Sequence, residues 1–220
     1  MNCCSVVGAD TGLLFSRFAG LDRLRFRLFG FERNQRQLID GIRATGIEGA
    51  ELLEVGCGAG HLHHALLHAG AATATGVDLS DGMLSRARAG AHASGLEART
   101  VYHLGDFVRI DQLLPEADVT ILDKVVCCYP DWQRLLDRSL KKTRRVYALT
   151  YPRDRALLRA GARCAAWALG LIGCCYRPYI HDPRQIEASI LAHGFYKAGE
   201  AQTPVWLTQI YTRNADPATH

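Results

Sequence analysis

From Ala50 onward, short apolar runs and amphipathic runs take turns along the chain. "AELLEV", "ATATGVDL", "RTVYHL", "ADVTILD" and "RRVYALTY" are strand-length stretches rich in apolar and β-branched residues. "HLHHALLHAG", "DGMLSRARAGAHAS" and "DWQRLLDRSLKK" lie among them with apolar residues at helical steps, and Ser80 caps the second. A strand returns parallel to its predecessor only through a long crossover, so this alternation predicts an α/β fold with a mostly parallel sheet and helices on both faces. After it come a helix at "DPRQIEASILAHG", with Asp182 as cap and Pro183 at its first position, and then "FYKAGEAQT" and "VWLTQIYTR". The last two read as an antiparallel hairpin.

Two helices precede the alternating region. Leu14, Phe18, Leu21, Leu24, Leu28 and Phe31 share one helical face, with arginines clustered around it, and a second helix is expected over Asn34 to Ala44. This divides the chain into an N-terminal helical cap, residues 1–48, and a main domain, residues 49–220. An insert at about 153–181 carries the stripe Arg155, Arg159 and Arg163 into "CAAWALGLIGCCY". That run is shorter than the ~20 residues of a transmembrane helix, so it reads as a buried or interfacial helix.

Composition removes several classes. In 220 residues the net charge is only +4, with no dense basic run, so no nucleic-acid partner is expected. Met1 to Asp10 has no basic stretch before an apolar core, so no secretory signal is read. Six of the eight cysteines form the pairs Cys3-Cys4, Cys127-Cys128 and Cys174-Cys175, and no CxxC spacing occurs. That excludes a zinc-finger or thioredoxin motif and fits a reduced, cytoplasmic protein.

Function is carried by the loop after the first strand. "LLEVGCGAGH" places Gly56, Gly58 and Gly60 between a strand ending in acid Glu54 and a helix start. Glycines there let backbone approach a ligand, while helix N–H groups and the dipole favour negative charge. The spacing lacks the last glycine of the dinucleotide pattern, because His61 and Leu62 follow. Asp78 ends the second strand, where a carboxylate can accept hydrogen bonds from two ribose hydroxyls. "GDF" follows the third strand, with Asp106 and Phe107 suited to an adenine ring, and Asp123 ends the fourth. All four signals fall at strand carboxyl ends, where open α/β sheets bind ligands.

"LLEVGCGAG", "GVDLS", "LGDF" and "ADVTILDKVV" resemble, in order and place, the first four motifs of the class I S-adenosylmethionine-dependent methyltransferases. The resemblance covers about Ala50 to Tyr151 and implies a Rossmann-like, seven-stranded sheet closed by the terminal hairpin. It implies S-adenosyl-L-methionine as cofactor, with Glu54, Gly56, Gly58 and Gly60 on its methionine part and Asp78 on the ribose. Met83 would pack on the adenine, Asp106 and Phe107 would fix that ring's edge and face, and Cys57, Leu79 and Asp123 complete the implied contacts. "LDKVVCCYPDW", "YPRD", the N-terminal "CC" and "VWLTQIY" are similar to a bacterial subgroup described as like magnesium-protoporphyrin O-methyltransferases. Glu54 and Cys57 depart from that subgroup's usual aspartate or isoleucine and glycine.

Methyl transfer from a sulfonium is an in-line displacement that rests on positioning, and a base is needed only when the acceptor loses a proton. Candidates near the acceptor are Asp123, Cys127, Cys128, Tyr129, Tyr151 and His181. The expected reaction is O-methylation of a small or medium-sized organic acceptor. One alternative is methylation of a thiol, metalloid or other soft nucleophile at a site where Cys3, Cys4, Cys127 and Cys128 meet; another is a non-catalytic cofactor-binding or membrane-docking module. His61, His64 and His68 share a helical face, which is expected at the surface and is assigned no metal. The arginine-rich N-terminal helix admits peripheral contact with anionic lipid, and the sequence leaves the oligomeric state open.

Overall fold

The computed structural model describes Phe26, residues 28–171 and residues 179–213. Its elements in chain order are α1 (Arg33–Arg43), β1 (Glu51–Val55), α2 (His61–His68), β2 (Thr73–Asp78), α3 (Asp81–Ala93), β3 (Thr100–Leu104), the short α4 (Phe107–Ile110), β4 (Ala117–Asp123), α5 (Trp132–Lys141), β5 (Thr143–Pro152), α6 (Ala156–Leu171), α7 (Pro183–Ala192), β6 (Tyr196–Gln202) and β7 (Trp206–Thr212). They build one seven-stranded sheet in the order β3-β2-β1-β4-β5-β7-β6. β1 to β5 pair in parallel, and β7 runs antiparallel to both β5 and β6. The expected fold class holds, hairpin included.

Alternation along each central strand sorts its side chains between two cores. Leu53, Val55, Leu122 and Leu149 pack with Leu135, Leu136 and Leu140 of α5 and Ile186 and Ile190 of α7. Leu52, Val119, Ile121 and Ala148 pack on the other face with Leu38 and Ile42 of α1 and Leu62 and Leu66 of α2. With both faces covered, the strands can be apolar nearly throughout, as parallel strands are. Helix starts follow side-chain capping: Ser80, Asp106, Asp131 and Asp182 each accept a hydrogen bond from a backbone N–H in the first turn they cap.

α1 lies hard against the sheet. A Cβ at Gly41 would come within 2.7 Å of Ile210 Cγ1 on β7, so only glycine permits this approach. The approach carries the start of α1, with Glu32 and Gln35, to the carboxyl end of β4. Of the first expected helix, Leu14 to Phe31, Phe26 and residues 28–31 are described: Phe26, Leu28 and Phe29 are helical, while Gly30 and Phe31 lie past the helix end. Cys3, Cys4, Cys174 and Cys175 lie outside the described residues. Among the described residues no helix is long and apolar enough to cross a membrane.

Candidate active site at the strand carboxyl ends

The loop from Gly56 to Gly60 turns through left-handed backbone at all three glycines, with φ of 68°, 53° and 80°. It is stitched to β2 by two N–H donors, Gly56 and Cys57, on the Val77 carbonyl at 2.8 and 3.0 Å. Gly58 is the open point: a Cβ built there meets nothing within 4 Å, while its N–H donates to Asp78 Oδ2 at 2.8 Å. Asp78 Oδ1 accepts from Ser80 N at 2.8 Å. Two backbone donors thus set the carboxylate beside the loop. Burial still pushes its pKa above the ordinary aspartate value, against those hydrogen bonds.

Asp106 caps α4 by accepting from Val108 N at 3.1 Å. The Tyr129 hydroxyl donates to the same carboxylate, 3.0 and 3.1 Å from its two oxygens. The candidate catalytic tyrosine is therefore engaged with the expected adenine-edge acid. Phe107 is packed into the apolar core at 4% exposure, while Leu79 and Met83 are half-buried beside the β2 end. Cys57 points beneath the loop, where its sulfur would lie 2.8 Å from a Cβ at Gly76.

At the end of β4, Asp123 Oδ2 accepts from Gln35 Nε2 at 3.0 Å. Its Oδ1 is buried with no hydrogen-bond partner. A buried acceptor without a donor carries a desolvation cost, and burial accordingly raises this carboxyl's pKa. The next residue, Lys124, is a non-glycine in left-handed backbone at φ 60°. That conformation aims its Nζ at Glu32 (2.6 Å) and over the Trp206 ring (5.0 Å to the centroid).

The remaining acceptor candidates gather around residues 126–128. Both thiols donate to the Lys124 carbonyl, Cys127 at 3.3 Å and Cys128 at 3.4 Å, with 3.8 Å between the sulfurs. Contact with Cys128, then burial, raises the Cys127 thiol well above its ordinary value, so it is protonated. Tyr179 N donates to the Cys127 carbonyl at 2.8 Å, and the His181 ring nitrogen Nε2 lies 3.1 Å from the Val126 carbonyl. His181 is held between Tyr179 and Trp132, and burial lowers its pKa, leaving it neutral. Tyr151 belongs to the core, its hydroxyl on Gln209 Oε1 at 2.7 Å. Among the described residues no group of three or more His, Cys, Asp or Glu is set to hold a metal.

One expectation is corrected. The histidine face of α2 lies only partly at the surface: His61 is half-buried and His64 is 8% exposed, and His63, off that face, is fully buried. His63 Nδ1 meets Glu54 Oε2 at 2.5 Å, and both histidine Nε2 atoms meet the Tyr102 hydroxyl, at 3.0 and 2.7 Å. Only His68 of the three-residue face is exposed. Helical periodicity places His61, His64 and His68 together correctly but cannot tell which side of α2 the sheet covers. The roles of Gln35, Glu32 and Trp206 at β4 were likewise missed, because each arrives from a distant stretch of chain.

This arrangement, four acids at the carboxyl ends of β1 to β4 around a glycine loop, belongs to a seven-stranded methyl-transfer fold. Residues 52–147 match the family described as methyltransferase domain. No curated protein matches the chain at the sequence level. Among solved structures it is similar to magnesium protoporphyrin IX methyltransferase from Synechocystis PCC 6803 with bound SAH: 20% identity, 93% of this chain and 100% of that one, TM-score 0.68. An O-methyltransferase family protein from Burkholderia thailandensis aligns at 17% identity over 90% of this chain and 61% of that one, with a TM-score of 0.65. An S-adenosylmethionine-dependent methyltransferase from Mesorhizobium loti aligns at 16% identity over 79% and 96%, with a TM-score of 0.61. Residues 52–147 thus match a methyltransferase domain, and the chain as a whole shares the fold of these S-adenosylmethionine-dependent methyltransferase structures.

Proposed function

We propose that the protein transfers the methyl group of S-adenosyl-L-methionine to an oxygen of a small or medium-sized organic acceptor. The carrying observation is the Asp123 carboxylate: buried at the end of β4, raised in pKa, fixed through Oδ2 by Gln35 and left with Oδ1 unpartnered. A group so placed can take the proton of an acceptor hydroxyl as the new bond forms. The cofactor fits the residues present: Gly58 leaves open space, and the loop and Asp78 already form one hydrogen-bonded unit. Glu54 and the loop from Gly56 to Gly60 would hold the methionine part, Asp78 and Leu79 the ribose, and Met83 and Asp106 the adenine, with Phe107 supporting that end of the site from the core. When bound, the group supplies a positively charged sulfur bearing the methyl to be transferred.

The chain's own residues orient the partners. Tyr129, engaged with Asp106, ties residues 126–129 on the acceptor side to the adenine end of the site. The described part of the expected cap reaches the acceptor side, supported by Gln35 on Asp123 and Glu32 on Lys124. The described end of the insert, residues 179–181, flanks the acceptor side, supported by His181 and Tyr179 against residues 126–128. The protonated Cys127 thiol favours an oxygen acceptor over chemistry that needs soft thiolate ligands. The O-methyltransferase family protein and the magnesium protoporphyrin IX methyltransferase among the similar structures support the same choice.

Calorimetry with S-adenosylmethionine and with NADH tests the cofactor: saturable binding of the first alone is expected, and the reverse would overturn the reading. Isotope-labelled methyl transfer to small-molecule extracts, with the product identified by mass spectrometry, then names the acceptor. A label found on sulfur would replace the oxygen assignment.

A further inference from the structure

Three strands in register place Glu54, Gly76 and Tyr102 side by side on one face of the sheet. The middle position has no side chain, and a Cβ there would collide with the Tyr102 ring at 3.0 Å. The Cys57 sulfur and the Tyr102 ring occupy that gap, and the buried histidines of α2 meet the Tyr102 hydroxyl. The result is an unbroken file of polar atoms: Glu54 Oε2, then His63 Nδ1 at 2.5 Å, His63 Nε2 to the Tyr102 hydroxyl at 3.0 Å, and the hydroxyl to His64 Nε2 at 2.7 Å. Nothing in methyl transfer itself requires such a file. We infer that it is a proton relay, carrying a proton from Glu54 to His64 when a cationic methyl donor binds over the glycine loop.

The hydrogen bonds admit two proton arrangements. In the first, the neutral Glu54 carboxyl donates to His63 Nδ1, His63 Nε2–H donates to the Tyr102 oxygen, and the Tyr102 O–H donates to His64 Nε2. In the second, each proton has moved one place along: ionised Glu54 accepts from His63 Nδ1–H, His63 Nε2 accepts from Tyr102, and Tyr102 accepts from His64 Nε2–H. His64 then sheds its Nδ1 proton to water. The sum is one proton lost from Glu54 and one gained by solvent, with both imidazoles changing tautomer.

The surroundings set which arrangement prevails. Burial and the neighbouring carboxylates Asp123 and Asp78 act against a charge on Glu54, so the first arrangement is that of the ligand-free protein. Burial holds His63 and His64 down to about 3, with His61, His63 and His68 adding to the effect on His64. Neither histidine therefore retains the extra proton at neutral pH. Tyr102 is faced by Thr100, Cys57, Glu54 and Arg88, and the Arg88 guanidinium lies 5.9 Å from its ring centroid. His64 is the exit: it is 8% exposed where His63 is 0%. A positive ligand charge beside three carboxylates favours ionised Glu54, since a nearby opposite charge stabilises the charged form.

The inference rests on the cofactor reading above, and calorimetry separates the two. Titration of the full chain with S-adenosylmethionine near neutral pH, in phosphate and in Tris, should give heats differing by the release of about one proton per ligand bound. S-adenosylhomocysteine, which lacks the sulfonium charge, should release clearly less. Imidazole nitrogen NMR should show His63 passing from Nε2–H to Nδ1–H and His64 from Nδ1–H to Nε2–H on binding. In Tyr102→Phe the His63 Nε2 proton has no acceptor, so both imidazole changes and the proton release should be lost. Saturable binding with buffer-independent heat and unchanged imidazole signals in the unaltered protein overturns the relay while leaving the cofactor reading intact. Absence of any saturable heat overturns the cofactor reading itself, and the relay with it.

Discussion

The two halves of the site are built by different means. Around β1 to β3 backbone donors set the two acids expected on the nucleoside: Gly58 N and Ser80 N hold Asp78, and Val108 N holds Asp106, which Tyr129 also reaches. Around β4 the polar contacts are side-chain contacts between distant segments, Gln35 with Asp123 across 88 residues and Lys124 with Glu32 across 92. A backbone N–H is supplied by almost any residue, so the cofactor half depends on glycines and acids at fixed spacings. The acceptor half depends on which side chains other elements deliver. A common methyl donor can thus be kept on an unchanging scaffold while acceptor contacts vary.

The largest effect is expected from Asp123→Asn on turnover. Removal of a general base costs about 10²–10⁴-fold, while S-adenosylmethionine affinity should change little; a parallel loss of both would show that Asp123 serves the cofactor half instead. The pH profile sharpens the point. Burial raises the Asp123 pKa, so the acid limb of turnover should lie above the ordinary aspartate range, and the Asn variant should lack it. The stability sign follows as well. A carboxyl raised in the folded state contributes stability at low pH that is lost as pH rises through the folded value. Asp123→Asn should therefore melt higher than the parent at neutral pH, with the difference closing toward about pH 4.

Asp78→Ala is the counterpart in the other half. Loss of a charge-assisted hydrogen-bond pair to the ribose should weaken S-adenosylmethionine binding by about 2–4 kcal/mol, measured by calorimetry. Unchanged affinity would remove Asp78 from the ribose. Gly56→Ala should act on both halves through the fold. A Cβ there would sit 2.5 Å from Val125 Cγ2, on backbone already at φ 68°. Strain and overpacking of this kind cost about 1–3 kcal/mol each, so a clear fall in melting temperature is expected.

The same contrast decides what could be read from the chain. The strands, the order of the acids and the glycine turn are local patterns: Glu54, Asp78, Asp106 and Asp123 each end or follow an apolar run, and the described strands begin and end close to those runs. The histidines of α2 were legible as a helix face but not as buried groups. Their polar partners are Glu54 on β1 and Tyr102 on β3, which come within reach only after three strands pair in register. Phe107 shows the complementary limit: its place in "GDF" points to a ligand face, whereas the β3–β4 connection packs it into the core. Spacing identifies which residues share an element; it does not say what a second element lays over them.

The smallest effect concerns Lys124. Its left-handed backbone costs a non-glycine residue about 1–3 kcal/mol, and glycine would remove that strain. Lys124→Gly also deletes the partly buried ion pair to Glu32 and the cation over Trp206, contacts of about 0.5–2 kcal/mol apiece. These terms oppose each other and are of similar size, so the melting temperature should move little in either direction. Affinity for S-adenosylmethionine should also hold, because the Gly58–Asp78 unit is untouched. What should change is acceptor handling, since the start of α1 loses its tie to β4 and Gln35 is less well held on Asp123. A raised acceptor KM with near-normal stability and cofactor affinity is the expected signature. A large loss of stability instead would mean that Lys124 holds the fold, and that its strained backbone is not there to serve the acceptor half.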